Sequence, residues 1–473
     1  MMIRTRYVTR GSTYLTILDT NAPQLYAEVF KTGKKLLKEL YEAHNASEVQ
    51  KGSLAETVVV NTLPWHRKEI VEVSETEVGI ACGDGQMLPV RTFKVQDDKP
   101  AVTVTEKHDE FVLENDNLRV TVKQGAITSL FDRVNDREVI DQGGSANKFV
   151  IFDDIPLYWE AWDVEVYHLK TKRDLQYGET RIHENKPHKV TLVTDIKISE
   201  ESSLKSYITL SAAIKGQPSQ INCSAEVDWH ENSKFLKVEF PVDIVNTEAS
   251  YETAYSITKR PTHYNTSWDM AKFEVCCHRF ADLSEHNYGV SILNDSKYGF
   301  ATAGKTMRLS LLKSSKSPDE HADMGHHSIR WAIFPHQGSL SSATVKAAYA
   351  FNNPLKALSA SKATVESLTG APVKVVSLDE SDSVILDTVK RGHDDEDVSR
   401  REGLRVNKGK SVILRFYESL GGHSRATIKT QFNVKRVTKV NLLEDELEEI
   451  KHAEGDFDIR LRPFEVATYK VQL

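Results

Sequence analysis

The segment Phe152 to His168, reading FDDIPLYWEAWDVEVYH, sets Tyr158, Trp159, Trp162 and Tyr167 among Asp153, Asp154, Glu160, Asp163 and Glu165. Neither strict alternation nor a 3.6-residue stripe accounts for that order, and Pro156 interrupts a central strand or helix. An irregular loop is the element that remains. Flat rings cover apolar C–H faces, and carboxylates accept hydrogen bonds from neighbouring hydroxyls. A ligand with both features is a sugar. The alternative is that the rings pack at the rim of a β-domain and the acids are solvated. On the residues alone both readings stand.

Other chemistry-bearing clusters are weaker. His321, His326 and His327 lie near Asp319 and Asp323, but their spacing matches no standard zinc pattern. Asp153, Asp154 and Asp163 lack the spacing and central glycine of a calcium loop. The acidic run His393 to Asp397 reads as a solvated loop. Cysteines stand at 82, 223, 276 and 277 with no Cys-x-x-Cys pair. Cys276 and Cys277 are neighbours in a strand-like run, so their side chains should diverge, and both read as structural. So few thiols predict a reduced protein in the cytoplasm or in a compartment reached without a secretory signal.

The elements that must position these residues are mostly strands. Only one long helix is evident, with Asn21 as its cap, Pro23 in its first turn and an apolar stripe through Leu25, Tyr26, Val29, Phe30, Leu36, Leu37, Leu40 and Tyr41. After a polar linker at Asn45 to Glu56, strands are predicted at Thr57–Val60, Glu69–Val73 and Leu113–Val122. A hairpin is predicted from Ile221–Asp228 and Phe235–Val242 around the turn His230–Ser233. Such pairs continue to about Tyr349 and predict a large antiparallel sandwich. Beyond Asn352-Asn353-Pro354, strands at Val373–Leu378, Ser383–Thr388, Val412–Tyr417, Ala426–Phe432 and Val466–Leu473 predict a small second one.

The chain's 473 residues suggest two to four domains, and a formal charge of −7 argues against a surface for nucleic acid or an anionic membrane. No apolar run approaches a bilayer span, and the N-terminus MMIRTRYVTRGSTYL lacks the apolar core of a secretory signal.

The aromatic-acid segment resembles one in the α-mannosidases of glycoside hydrolase family 38, in their cytosolic and vacuolar branch. Colinear blocks share the resemblance: VVVNTLPWHRKEIVEV (Val58 to Val73), LENDNLRVTVKQGAITSLFDRVNDREVI (Leu113 to Ile140), VDWHENSKFLKVEFPV (Val227 to Val242), the run Phe273 to Phe300, Met307 to His327, and RFYESLGGHSRATI (Arg415 to Ile428). They resemble only the C-terminal half of such an enzyme.

The resemblance implies a mainly β fold. A helical remnant (1–52) of a bundle whose other helices lie upstream and a small β segment (53–110) would precede a large galactose mutarotase-like sandwich (111–353) and a C-terminal β-sandwich (354–473). It implies a retaining hydrolase of terminal α-D-mannosyl residues of oligosaccharides, working with two carboxylates and zinc. In the family those groups lie on a barrel before the helix. Near the helix the segment Thr5 to Ser12 retains the valine, glycine and serine of the family's zinc-ligand segment but not its histidines or aspartate. No catalytic residue, metal ligand or bound zinc is therefore expected on this chain, which alone should be inactive. The expected partners are a mannose-containing oligosaccharide and a separate N-terminal catalytic half, with no nucleic acid or membrane and with room for an oligomer. The resemblance places the protein in the cytoplasm or vacuole. It also implies that loops of the β-half line the sugar pocket, with Tyr158, Trp159, Asp163, Lys313, Asp323 and His326 as the residues expected at substrate. A stand-alone carbohydrate-binding or structural β-protein is the alternative.

Overall fold

The computed structural model describes residues 12–43, 46–48, 53–73, 78–83, 87–92, 101–370, 376–379, 382–395 and 409–473. The altered segment at Thr5, part of the 45–56 linker, the start of the strand expected from Val373 and the last two acids of the 393–397 run lie outside them. The chain divides into two compact units. One comprises Met1–Ala27, Lys94–Thr253 and Thr258–Asn352, and the other Glu28–Phe93, Ala254–Ile257 and Asn353–Leu473. No described helix is long and apolar enough to cross a membrane.

The first unit is a large antiparallel sandwich. Its nine-stranded sheet has Ile221–Trp229, Gly325–Gln337 and Tyr288–Asn294 at the centre, and its six-stranded sheet centres on Lys148–Asp153, Lys234–Pro241 and Thr306–Lys313. A five-stranded sheet including Glu110–Glu114 and Leu118–Lys123 adds to the same core, in which Leu113, Phe149, Val238, Leu309, Trp229 and Trp331 are buried together. Two sequence expectations change here. The run Leu113–Val122 is two strands, because the Asn115 side chain accepts hydrogen bonds from the Asn117 and Leu118 amides (2.9 and 2.7 Å) and turns the chain. Ile221–Trp229 and Lys234–Pro241 are not a hairpin. The first pairs with Ser203–Ser211 and Gly325–Gln337, the second with Lys148–Asp153 and Thr306–Lys313, so the chain crosses from one sheet to the other at His230–Ser233.

The six-stranded sheet is buried on both faces. Phe149, Ile151, Leu236, Val238, Phe240, Met307 and Leu309 enter the main core. Alternation sends Val150, Phe152, Phe235, Lys237, Glu239, Arg308 and Ser310 to the other face. A register shift between Leu236 and Lys237, paired with Leu312 and Ser310, leaves Leu311 as an extra residue. Such a bulge re-aims the side chains beyond it. Met307, Leu309, Leu311 and Leu312 all reach the core, and Lys313 is sent to the opposite face.

In the second unit Lys356–Ala360 pairs with Ala46–Glu48 and Thr57–Val60, in a six-stranded sheet that continues through Met87–Thr92, Val78–Gly83 and Arg67–Glu72. The stretch 53–110 thus divides, since Thr103–Lys107 pairs with Glu110–Glu114 in the first unit. A five-stranded and a three-stranded sheet enclose a separate core with Leu414, Phe416, Ile428, Ile459 and Val471. The long helix runs Ser12–Ala43, through Asn21 and Pro23 rather than starting there, so Asn21 is not its cap. The proline removes one backbone donor while the rest of the ladder continues. Of its stripe Tyr41 is buried with Val58, Leu358 and Leu368, whereas Leu25, Tyr26, Val29, Phe30, Leu36 and Leu40 are exposed.

Candidate sugar-binding site

The aromatic-acid segment leaves the six-stranded sheet at Asp153 and returns at Arg173–Asp174. Pro156 brings no backbone donor and is buried at the base of the loop. Trp159 then adopts a left-handed backbone (φ 57°), which reverses the chain. Its carbonyl accepts hydrogen bonds from the Trp162 and Asp163 amides (2.7 and 2.9 Å), closing one turn. Tyr158 and Trp159 are 75% and 70% exposed, and Trp162 sets its ring edge-on to Trp159 with centroids 6.1 Å apart.

The return limb is anchored by His168, in the short helical turn Val166–Thr171. Its ring is buried among Phe152, Phe235 and Phe273, with Nδ1 2.7 Å from the Glu165 carbonyl. Burial, followed by the nearby Lys237 ammonium, pushes its pKa down to about 4, which holds the ring neutral at ordinary pH. Thr171 Oγ1 accepts from the Asp153 amide and donates to the His168 carbonyl (both 2.8 Å), joining the two ends of the loop.

A layer of paired charges lies on this face of the sheet. Lys237, fully buried, pairs with Glu274 at 2.6 Å and sits 4.1 Å from the centre of the Phe235 ring. Glu239 joins Arg308 (2.6 Å) to Lys172 (2.5 Å). Asp154 and Lys313 are both buried, 3.3 Å apart. Burial raises the Asp154 pKa to about 6 and pulls that of Lys313 down, each against the attraction of the other. The Lys313 ammonium also donates to the Glu160 and Asp163 carbonyls. Ser315 Oγ donates to the Glu160 carbonyl (3.1 Å) and the Lys316 amide to the Glu160 carboxylate (2.7 Å).

The six residues expected at substrate therefore part company. Tyr158, Trp159 and Asp163 share one exposed turn. Lys313 is tied to that turn from beneath, because the bulge at Leu311 takes its side chain off the main core to the opposite face, where its ammonium meets the carbonyls of the turn. Asp323 adopts a left-handed backbone (φ 59°), and its carbonyl lies 2.6 Å from His327 Nε2. His326 is exposed at the start of a nine-stranded-sheet strand, 3.5 Å from Asp228, whose same oxygen lies 2.9 Å from His230. Sequence reasoning missed His168, Lys237 and Glu274. The alternation of Phe235, Lys237 and Glu239 resembles a solvated strand face, and Glu274 is 37 residues from its partner. Trp268, 81% exposed on the turn Ser267–Met270, was also not singled out.

Among the described residues no three His, Cys, Asp or Glu side chains are grouped to hold a metal ion. Asp153 is taken by Lys234 (2.6 Å) and Arg173 (2.8 Å) rather than joining Asp154 and Asp163. These residues do not fit a zinc centre.

Residues 113–321 match the glycosyl hydrolases family 38 C-terminal domain, and residues 383–469 the glycosyl hydrolases family 38 C-terminal beta sandwich domain. The chain belongs to glycoside hydrolase family 38 and carries its two C-terminal β-domains. It is similar to the alpha-mannosidase of Saccharomyces cerevisiae, 44% identical over 78% of this chain and 35% of that protein. It is also similar to alpha-mannosidase 2C1 of Homo sapiens, 36% identical over 89% of this chain and 39% of that protein. The chain thus spans less than half the length of these relatives. An alpha-mannosidase structure from Enterococcus faecalis V583 shares the fold, with a TM-score of 0.59 at 14% identity over 91% of this chain and 52% of that one.

Proposed function

We propose that this chain supplies the β-rich half of an α-mannosidase that removes terminal α-mannosyl residues from oligosaccharides, and that its Tyr158–Asp163 turn borders the sugar site. The observation that carries this reading is 33–44% identity to four proteins named as alpha-mannosidases, along 78–96% of this chain. In this reading the nucleophile, the acid and zinc come from a catalytic half that completes the pocket. The turn would stack rings on the C–H face of a mannosyl unit and offer Asp163 to its hydroxyls. A half-pocket buries little of a monosaccharide, so the chain alone should bind mannose only at about millimolar concentration or weaker.

The test uses an aryl α-mannoside. The purified chain, with zinc or with a chelator, should show no turnover. Co-expression with the N-terminal part of the Saccharomyces cerevisiae relative should produce chelator-sensitive hydrolysis that neither piece shows alone. Chelator-sensitive turnover by the chain alone would mean that it holds a complete site, and failure of the pair would favour a stand-alone binding or structural role.

A further inference from the structure

Lys313 is the residue on this face whose place is hardest to explain by packing. An ammonium is costly to bury, and a methionine of similar length would fill the same volume without that cost. The strand nevertheless departs from regular alternation, at Leu311, to deliver it. A lysine ammonium has three N–H donors in tetrahedral array. Lys313 Nζ donates to two acceptors, the Glu160 and Asp163 carbonyls, and the Asp154 carboxylate stands 3.3 Å away as its ion-pair partner. The two carbonyls belong to the turn that Trp159 initiates with a left-handed backbone, a conformation that a bulky residue holds only when its surroundings impose it. Ser315 and Lys316 add bonds to the carbonyl and carboxylate of Glu160. Every one of these bonds reaches the turn from beneath, and Trp159 is left exposed above it.

We infer that Lys313 is a positioning residue: its ammonium clamps the Glu160 and Asp163 carbonyls, with Asp154 as counter-charge, and so fixes Trp159 and Asp163 where a mannosyl ring can meet them. The sugar part rests on the reading proposed above, whereas the clamp rests on the geometry alone. Lys313 touches no sugar in this account. The raised pKa of Asp154 and the lowered pKa of Lys313 agree with a pair held out of water for this purpose.

The test labels the full chain with 5-fluorotryptophan and follows the fluorine resonances of Trp159 and Trp162, assigned by Trp159→Phe and Trp162→Phe. The fully buried Trp229 and Trp331 report whether the sandwich is intact. Lys313→Met should move the Trp159 resonance to the averaged position of a solvent-exposed tryptophan while those of Trp229 and Trp331 stay in place. If Lys313→Met does not fold, Lys313→Arg replaces it, because a planar guanidinium keeps the charge but is too large and too differently shaped to place one nitrogen against both the Glu160 and Asp163 carbonyls. It too should displace Trp159. An unmoved Trp159 resonance in the folded variant would overturn the clamp. α-Mannobiose, titrated into the unsubstituted chain, should shift Trp159, and the clamp variant should lose that shift. If mannobiose shifts nothing while Lys313→Met still releases Trp159, the sugar platform fails and the clamp stands. A shift retained in full by the variant would overturn the positioning role.

Discussion

At Asp153–Asp163 the carboxylates divide between a buried pair and an exposed turn, and the rings beside them face solvent. At Gly392–Asp395, in the other unit, the acids turn inward, and the His393 ring is exposed but no Tyr, Trp or Phe stands among them. Asp395 is fully buried, accepting from Arg391 Nε (2.9 Å) and the Ser411 amide (2.7 Å), and Asp394 receives the Lys470 ammonium. Asp394 and Asp395 therefore do not form the solvated loop that their sequence suggests. Both segments bury carboxylates beside cations, so acid content alone does not separate the proposed binding loop from the second segment. The separation lies in the rings: only the first segment holds Tyr158 and Trp159 in water above a rigid base.

The comparison is broken most forcefully from below the first segment. Glu274→Ala strands the fully buried Lys237 ammonium, and loss of one partner from such a pair costs about 3–5 kcal/mol. Urea denaturation followed by Trp229 and Trp331 fluorescence should show that loss, and a change near zero would mean that the layer is solvated. Asp395→Ala is a smaller perturbation, because Arg391 is partly exposed and can turn to water while the Ser411 amide is left unpaired. About 1–3 kcal/mol is expected, seen as faster hydrogen exchange in the strand Ser411–Glu418.

Acid pH sharpens the contrast through two groups with opposite signs. His168 has its pKa lowered from 6.5 to about 4, so the unfolded chain binds the extra proton first. Its contribution is complete above pH 6.5 and is lost as pH falls towards 4. Asp154 has its pKa raised from 3.8 to about 6, so the folded chain holds its proton longer, and its contribution is present below pH 3.8 and lost as pH rises to 6. The two slopes offset each other in the intact chain. Relative to it, Asp154→Asn should make stability rise more steeply with pH across this window, and His168→Phe should make it rise less or fall. Parallel pH profiles for all three proteins would show that neither group titrates with folding.

Many strands were legible from alternation: Thr57–Val60 is found as predicted, and Ser411–Glu418 and Val466–Gln472 differ from prediction by a residue at one or both ends. What escaped was every feature that depends on a distant partner or an inserted residue. Asn115 splits a run whose apolar pattern continues unbroken across the turn. Lys470 lies 76 residues from Asp394, and nothing local announces the pair. Tyr158, Trp159 and Asp163 were found as one exposed group because rings and acids out of any period mark a loop. Lys313 was singled out as a residue, but its burial beneath the turn was not legible, since one extra leucine decides which face it meets.

The smallest expected stability effect belongs to the residues proposed to meet the substrate. Trp159→Ala and Asp163→Ala change exposed side chains and should shift stability by no more than about 0.5 kcal/mol. Whether this turn meets the mannosyl substrate is decided by measuring kcat/KM and melting temperature for these two variants in the enzyme completed with a family catalytic half. A reduced kcat/KM at an unchanged melting temperature is expected. Unchanged kinetics with a lowered melting temperature would contradict it and make the turn a packing element.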